Sequence, residues 1–105
     1  MNRYIIDGAL ADAAKGKQVV LIADRHDLAA VLAAAVYTNP DRINRTVGAQ
    51  RVNYASGGSL RLLGGHLGSL RGLQPDVLVA PIWWFDGVEP GEVGALTVRA
   101  EIVRY

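Results

Sequence analysis

The sequence predicts a small layered α/β domain with a partly parallel sheet, two N-terminal helices and an inserted β-hairpin. Two short apolar runs, QVVLIA at 18–23 and DVLVA at 76–80, are typical of strands buried on both faces. Helical periodicity flanks the first run, and the residues between the two runs alternate between polar and apolar as hairpins do. A length of 105 residues, half of them hydrophobic, fits one domain over 1–105.

The chain opens with a predicted helix over 2–15, because its apolar residues recur at helical spacing. Gly16 is suited to end this helix, since glycine readily adopts the left-handed conformation found after helix ends. The strand over 18–23 follows. A second helix is predicted over 27–37, capped at its start by either Asp24 or Asp27.

The middle of the chain is predicted to form a β-hairpin or a small meander. Alternation at 43–47 and 51–54 indicates two strands, and the Ser-Gly-Gly-Ser stretch at 56–59 is a strong turn signal before a third strand at 60–63. One short helical turn is expected at 69–72.

The C-terminal third begins with the buried strand over 76–80, which Pro81 ends. Pro90, Gly91 and Gly94 indicate a turn over 88–95, and strict alternation over 96–102 predicts a strand. A helix from Glu89 onward is the alternative, since apolar residues of this segment also share a helical face.

Composition excludes several classes of site. The chain has no cysteine and only two histidines, which excludes disulfides and thiolate sites and leaves little for zinc; we expect no metal and no cofactor. A net charge of +1 argues against bulk electrostatic binding of nucleic acid. No apolar stretch approaches the ~20 residues that span a bilayer, so we expect no membrane contact and a cytoplasmic protein.

A family resemblance covers residues 2–82. The run GKQVVLIADR at 16–25, followed by RINRTVGAQRVNYASGGSLRLLGGHLGSLRGLQPDVLVAP at 42–81, resembles the ATPase core of bacteriophage terminase large subunits and related RecA-like helicases. The stretch at 57–79 is its most specific part. The resemblance implies a reduced RecA-like fold and a phage protein in the cytoplasm of its host. Nine arginines against two lysines, with many alanines and glycines, fit a GC-rich genome such as that of an actinobacterial host.

The motifs that carry the chemistry of that family are missing. No GxxxxGK[ST] phosphate loop occurs, and Gly16-Lys17 precedes a strand instead of opening a helix. Ala80 and Pro81 follow the strand where the family has its acidic pair, and they cannot hold Mg²⁺. The chain is also about half the length expected of such a core. We therefore expect a degenerate relative that is not an enzyme.

Trp83, Trp84 and Phe85 form the least explained feature. Three consecutive aromatic residues cannot all point the same way in an extended chain, so at least one is expected to face solvent or a partner. Burial against the end of the sheet is the alternative. As a partner surface they would bind a host protein or a second copy of the chain, helped by the exposed edges of a reduced sheet.

Arginines lie on or beside the predicted hairpin. If Arg45, Arg51 and Arg61 share one face, with Tyr54 nearby, they form a basic patch able to meet phosphates; a solvated face is the alternative. Arg71 resembles a family position that supports the site or contacts DNA, and could instead pair with Asp76.

Three other polar features have structural interpretations. Asp24-Arg25-His26-Asp27 reads as a capped helix start, His66 as a surface loop residue and Gly57-Gly58 as a turn. The leading function is therefore a non-catalytic protein that acts by binding another protein. Nucleic-acid binding through the hairpin arginines is the second hypothesis, and residual nucleotide binding with enzymatic activity is the third.

Overall fold

A computed structural model describes residues 1–46, 49–64, 74–87 and 100–105 of the protein. Three α-helices and six strands lie in these ranges: α1 (Arg3–Ala14), β1 (Gln18–Ile22), α2 (Arg25–Ala35), β2 (Arg42–Asn44), β3 (Arg51–Asn53), β4 (Ser59–Leu63), β5 (Val77–Ala80), α3 (Ile82–Asp86) and β6 (Glu101–Arg104). A 3-10 helix over Val36–Thr38 continues directly from α2. The strands form one mixed sheet in the order β2-β3-β4-β1-β5-β6. The predicted α/β class is confirmed.

The sheet is parallel in its centre and antiparallel at one side. Strand β1 pairs in parallel with β4 and with β5, and β5 pairs in parallel with β6. Strands β2, β3 and β4 form an antiparallel meander, which is the longer of the two predicted forms. Strand β1, which follows α1 in the chain, is therefore a central strand with a parallel neighbour on each side.

The helix ends follow from local capping. The Asn2 side chain accepts a hydrogen bond from the backbone N–H of Ile5 at 3.0 Å and opens α1, while Gly16, with φ of 108°, follows its end. Asp24 caps α2 by accepting from the N–H of Asp27 at 2.9 Å. The predicted start at residue 27 is therefore two residues late, because Asp24 and not Asp27 is the cap.

The helix-side face of the sheet holds the main core. Helices α1 and α2 pack there against alternate residues of the strands, and fully buried members of this cluster include Leu10, Leu21, Val31, Leu60 and Val77. Fully burying such a side chain contributes about 1.5–3 kcal/mol, so this face supplies most of the stability of the fold.

The opposite face of the sheet is divided in two. Its apolar half consists of Val20, Ile22, Leu78 and Ala80, and Trp84 of α3 packs on it. On the same face, β2, β3 and the start of β4 carry polar and charged side chains, whereas Leu63 at the end of β4 packs against the apolar half. Among the described helices, α3 packs on the apolar half.

The turn between β3 and β4 touches the end of α1. Gly58 lies so close to the helix that an added Cβ would stand 1.8 Å from the Ala13 carbonyl oxygen. Gly57 has a φ of 92°, so the predicted Ser-Gly-Gly-Ser turn is confirmed, with each glycine needed for a different reason.

The last described strand differs in its limits from the prediction. Strand β6 covers Glu101–Arg104 and pairs with Val77–Ala80 of β5, whereas the alternation predicted a strand over 96–102. The strand continues past residue 102 because backbone pairing with β5 extends to Arg104. The predicted turn at 88–95, the alternative helix from Glu89, residues 96–99 and the helical turn at 69–72 lie outside the described residues.

Candidate functional site

Two arginines lie side by side on the polar half of the sheet. Arg51 of β3 and Arg61 of β4 are direct partners in the antiparallel register, so their side chains leave the same face of the sheet. Asn44 of β2 is the partner of Arg51, and Val20 of β1 is the partner of Arg61. We call Asn44, Arg51, Ser59, Arg61 and Gln18 the arginine face.

Arg51 and Arg61 form no ion pair with the described residues. The ion pairs of the described residues involve the N-terminus, Arg3 and Lys17, and none involves Arg51 or Arg61. Like charges directly opposite each other across two strands destabilise a sheet. A net charge of +1 for the chain hides this local concentration of positive charge.

A chain of hydrogen bonds holds Arg51. Its Nη2 donates to the Ser59 hydroxyl at 3.3 Å, and that hydroxyl donates to Oε1 of Gln18 at 2.6 Å. The Gln18 amide donates in turn to the carbonyl of Gly57 at 2.9 Å. Ser59 is only 4% exposed and bonds to both Arg51 and Gln18, so it fixes one edge of the guanidinium.

Arg51 keeps an unused donor. Its Nε is buried and has no hydrogen-bond partner among the described residues. A buried donor without an acceptor costs about 1–3 kcal/mol, and more when the group is charged.

Two clefts adjoin the arginine pair. The Gln74 cleft, of about 210 Å³, is lined by Gln18, Val19, Val20, Arg51, Ser59, Arg61, Gln74 and Pro75. The Gln50 cleft, of about 270 Å³, is lined by Asn44, Ala49, Gln50, Arg51, Arg61, Leu62 and Leu63. Arg51 and Arg61 line both clefts and therefore form the wall that the two share.

The other residues predicted for a basic patch fall elsewhere. Arg45 is exposed but follows the last residue of β2, beyond the paired part of the strand. Tyr54 is 7% exposed within the helix-side core, where its hydroxyl lies 2.6 Å from that of Thr38; its predicted place beside the arginines is wrong, because it follows β3 on the opposite side. Arg71 and His66 lie outside the described residues.

The three consecutive aromatic residues have different environments because they lie on α3 and not in an extended strand. Trp84 is 3% exposed and anchors the apolar half of the face, so it is not available to a partner. Phe85 is half-buried, with the Arg104 guanidinium 4.8 Å above its ring. Trp83 is 59% exposed beside Ile82, which is 60% exposed, and these two alone form an apolar surface on α3.

The carboxyl ends of the parallel strands, where open α/β sheets bind nucleotides, hold a different arrangement. Ala80 is fully buried at the end of β5, and Pro81 follows it and opens α3. The Tyr105 hydroxyl donates to the carbonyl of Ile22 at 2.6 Å and so closes over the end of β1. Burial, together with the carboxylates of Asp27 and Asp24, raises the pKa of Tyr105 above its usual range.

No group of three or more His, Asp or Glu side chains in the described ranges could hold a metal ion. No helix of the described residues is both long enough and apolar enough to cross a membrane.

Comparison of the chain with models of protein families, with curated proteins and with solved structures found no match. The resemblance to the terminase ATPase core therefore stays a prediction.

The sequence predicted the arginines of this site but not Ser59 and Gln18, whose hydrogen bonds hold Arg51 in place. Ser59 could have been found, because alternation from Ser59 to Arg61 places both on one face. Gln18 carries no local signal, since it stands at the start of an apolar strand and meets Ser59 41 residues later.

Proposed function

We propose that this chain is a non-catalytic binding protein whose arginine face binds nucleic acid through its phosphates. The observation that carries the proposal is the direct pairing of Arg51 with Arg61, with no carboxylate partner in the described part of the chain. Two guanidinium groups on one face offer parallel N–H donors that match the oxygens of a phosphate.

The surroundings of the pair support a ligand site over a solvated face. A solvated arginine turns its donors to water, whereas Arg51 is tied to Ser59 and keeps a buried Nε without an acceptor. Gln18, Asn44 and Ser59 add neutral hydrogen-bonding groups and no negative charge. An incoming phosphate therefore meets hydrogen-bond donors and two positive charges, while the one carboxylate bonded to a residue of this face, that of Asp76, accepts from the backbone N–H of Gln18 at 2.8 Å.

Fluorescence anisotropy with a labelled single-stranded oligonucleotide, measured over a range of salt concentrations, tests the proposal. In the Arg51→Ala/Arg61→Ala variant, loss of the arginine pair should weaken binding and reduce the slope of log affinity against log salt by about 0.7 for each phosphate that the pair neutralises. Arg25→Ala is the matched control, because it removes one exposed arginine from α2 on the other side of the sheet. Equal affinities for the wild type and the double variant would contradict the proposal.

A second candidate function is binding of a protein partner through Ile82 and Trp83. Both are large apolar side chains more than half exposed on one short helix, and tryptophan is a frequent anchor of protein interfaces. Sedimentation over a range of concentrations tests the form in which the partner is a second copy: Trp83→Ala should abolish association. Tyr37→Ala, which removes an 87% exposed aromatic side chain elsewhere, should leave it intact.

A further inference from the structure

The two clefts beside the arginine pair carry an inference that rests on the proposed function and makes it more specific. We infer that the arginine face takes single-stranded nucleic acid as a two-nucleotide step, with the linking phosphate on Arg51 and Arg61 and one base in each cleft. The inference comes from the position of the clefts, from their size and from the chemistry of their walls.

The position of the clefts matches the order of groups in a nucleic-acid strand. Arg51 and Arg61 line both the Gln74 cleft and the Gln50 cleft, so each cleft adjoins the same pair of positive charges. In a single strand, a base hangs from the sugar on either side of each phosphate. A strand that places one phosphate on the arginines can therefore direct its two flanking bases to opposite sides of the pair.

The size of each cleft suits one ring system. The volumes of about 210 and 270 Å³ lie below the roughly 300–1,000 Å³ typical of pockets for whole drug-sized ligands. Two small clefts that share a cationic wall fit two bases and one phosphate better than they fit one compact ligand.

The walls of the clefts can recognise base edges. Gln74 lines one cleft, while Gln50 and Asn44 line the other. Amide side chains offer both donors and acceptors, as the edges of bases do. The side-chain amides of Gln50 and Gln74 form no hydrogen bond with the described residues. The side-chain oxygen of Asn44 accepts one from the backbone N–H of Thr46 at 2.9 Å. The faces of the guanidinium groups supply planes on which bases stack.

These features favour a single strand over a duplex. In a duplex the bases are paired and stacked inside, and a sheet surface meets mainly phosphates and groove edges. Bases can leave the strand and enter side clefts only when they are unpaired. A duplex would therefore use the arginine pair and leave both clefts unfilled.

Three labelled probes of about ten nucleotides, a length within the usual range of single-strand sites, test the inference by anisotropy. They are a single strand, an abasic strand with the same number of phosphates, and a duplex. The single strand should bind severalfold more tightly than the other two, because it alone can place unpaired bases in the clefts. Gln50→Ala and Gln74→Ala should each weaken binding of the single strand severalfold and leave binding of the abasic strand unchanged.

The outcomes separate this inference from the proposed function. Equal binding of the abasic and single strands, with loss of both in Arg51→Ala/Arg61→Ala, would leave the proposed function standing and overturn the base clefts. Preference for the duplex would also overturn them. Absence of binding to all three probes would overturn the proposed function itself. Arg51→Gln/Arg61→Gln removes both charges and keeps polar side chains with aliphatic stems, so it replaces the alanine variant, with the same loss of binding expected, if the alanine variant does not fold.

Discussion

Replacement of Gly58 by alanine is expected to separate the turn between β3 and β4 from the end of α1. The added Cβ would lie 1.8 Å from the Ala13 oxygen and 2.8 Å from Cα of Gly16, whereas real Cβ contacts are no shorter than 3.0 Å. The two backbones must therefore move apart by about 1.2 Å, the difference between 1.8 and 3.0 Å. Both obstacles are backbone atoms, which no change of rotamer can remove.

That movement lowers the free energy of unfolding in two ways. Overpacking of a well-packed site costs about 1–3 kcal/mol. The same movement strains the hydrogen bond from the N–H of Ser59 to the Lys17 carbonyl, 3.1 Å long, and a net hydrogen bond contributes about 0.5–1.5 kcal/mol. Gly58→Ala should then lower the free energy of unfolding by about 2–4 kcal/mol. In a domain of this size the melting temperature should fall by roughly 10–30 °C.

Urea unfolding followed by circular dichroism measures the effect, with Gly8→Ala as the matched control. Gly8 lies inside α1, and an added Cβ there meets nothing within 4 Å, so alanine should raise the free energy of unfolding by about 0.5–1 kcal/mol. The same substitution should therefore have opposite signs at two glycines. Stability of Gly58→Ala within about 0.5 kcal/mol of the wild type would refute the close approach of turn and helix.

Three further outcomes are expected. Trp84→Ala should lower the free energy of unfolding by about 3–5 kcal/mol, because it removes the largest side chain from the apolar cluster under α3. Trp83→Ala should change this free energy by less than about 0.5 kcal/mol, since Trp83 is exposed. Equal effects of the two substitutions in urea unfolding would contradict their different burial. Tyr105→Phe should cost about 1 kcal/mol near neutral pH through the lost bond to Ile22. The folded state raises the pKa of Tyr105, so this stabilisation is complete below the ordinary tyrosine pKa of about 10 and is lost as the pH rises beyond it. The free energies of unfolding of the wild type and the variant should therefore converge at alkaline pH. A difference that stays constant with pH would contradict the raised pKa. ATP with Mg²⁺ should give no heat of binding in calorimetry, because Ala80 and Pro81 stand at the end of β5; micromolar affinity would overturn the proposal of a non-catalytic protein.

The central elements of the fold were predictable because their signals are local. Strands β1 and β5 are continuous apolar runs that only a doubly covered sheet position can bury, and their parallel pairing followed from the helix between β1 and the meander. The two arginines of the candidate site were predictable from the same alternation that indicated the meander. These predictions needed no knowledge of distant contacts.

The remaining features depend on distant contacts. Helix α3 is five residues long, too short for helical periodicity, and its position is set by the packing of Trp84 on β1 and β5. The choice of Asp24 over Asp27 as cap depends on where the chain leaves β1. The exact opposition of Arg51 and Arg61 depends on the register across the turn at Gly58, which contact with α1 fixes.

The position of β1 in the sheet also has consequences for how the chain folds. Gln18 at the start of β1 bonds to Ser59 and to Asp76, which follow it by 41 and 58 residues. The two strands that pair with β1, β4 and β5, are therefore synthesised well after β1 itself. Loops of this length must close before any parallel pair forms, which slows folding and leaves an apolar strand unpaired during synthesis. The arginine face combines side chains of β1, β2, β3 and β4, so it forms only after β4 has paired with β1 and β3. Binding at this face would therefore report that the middle of the sheet has assembled.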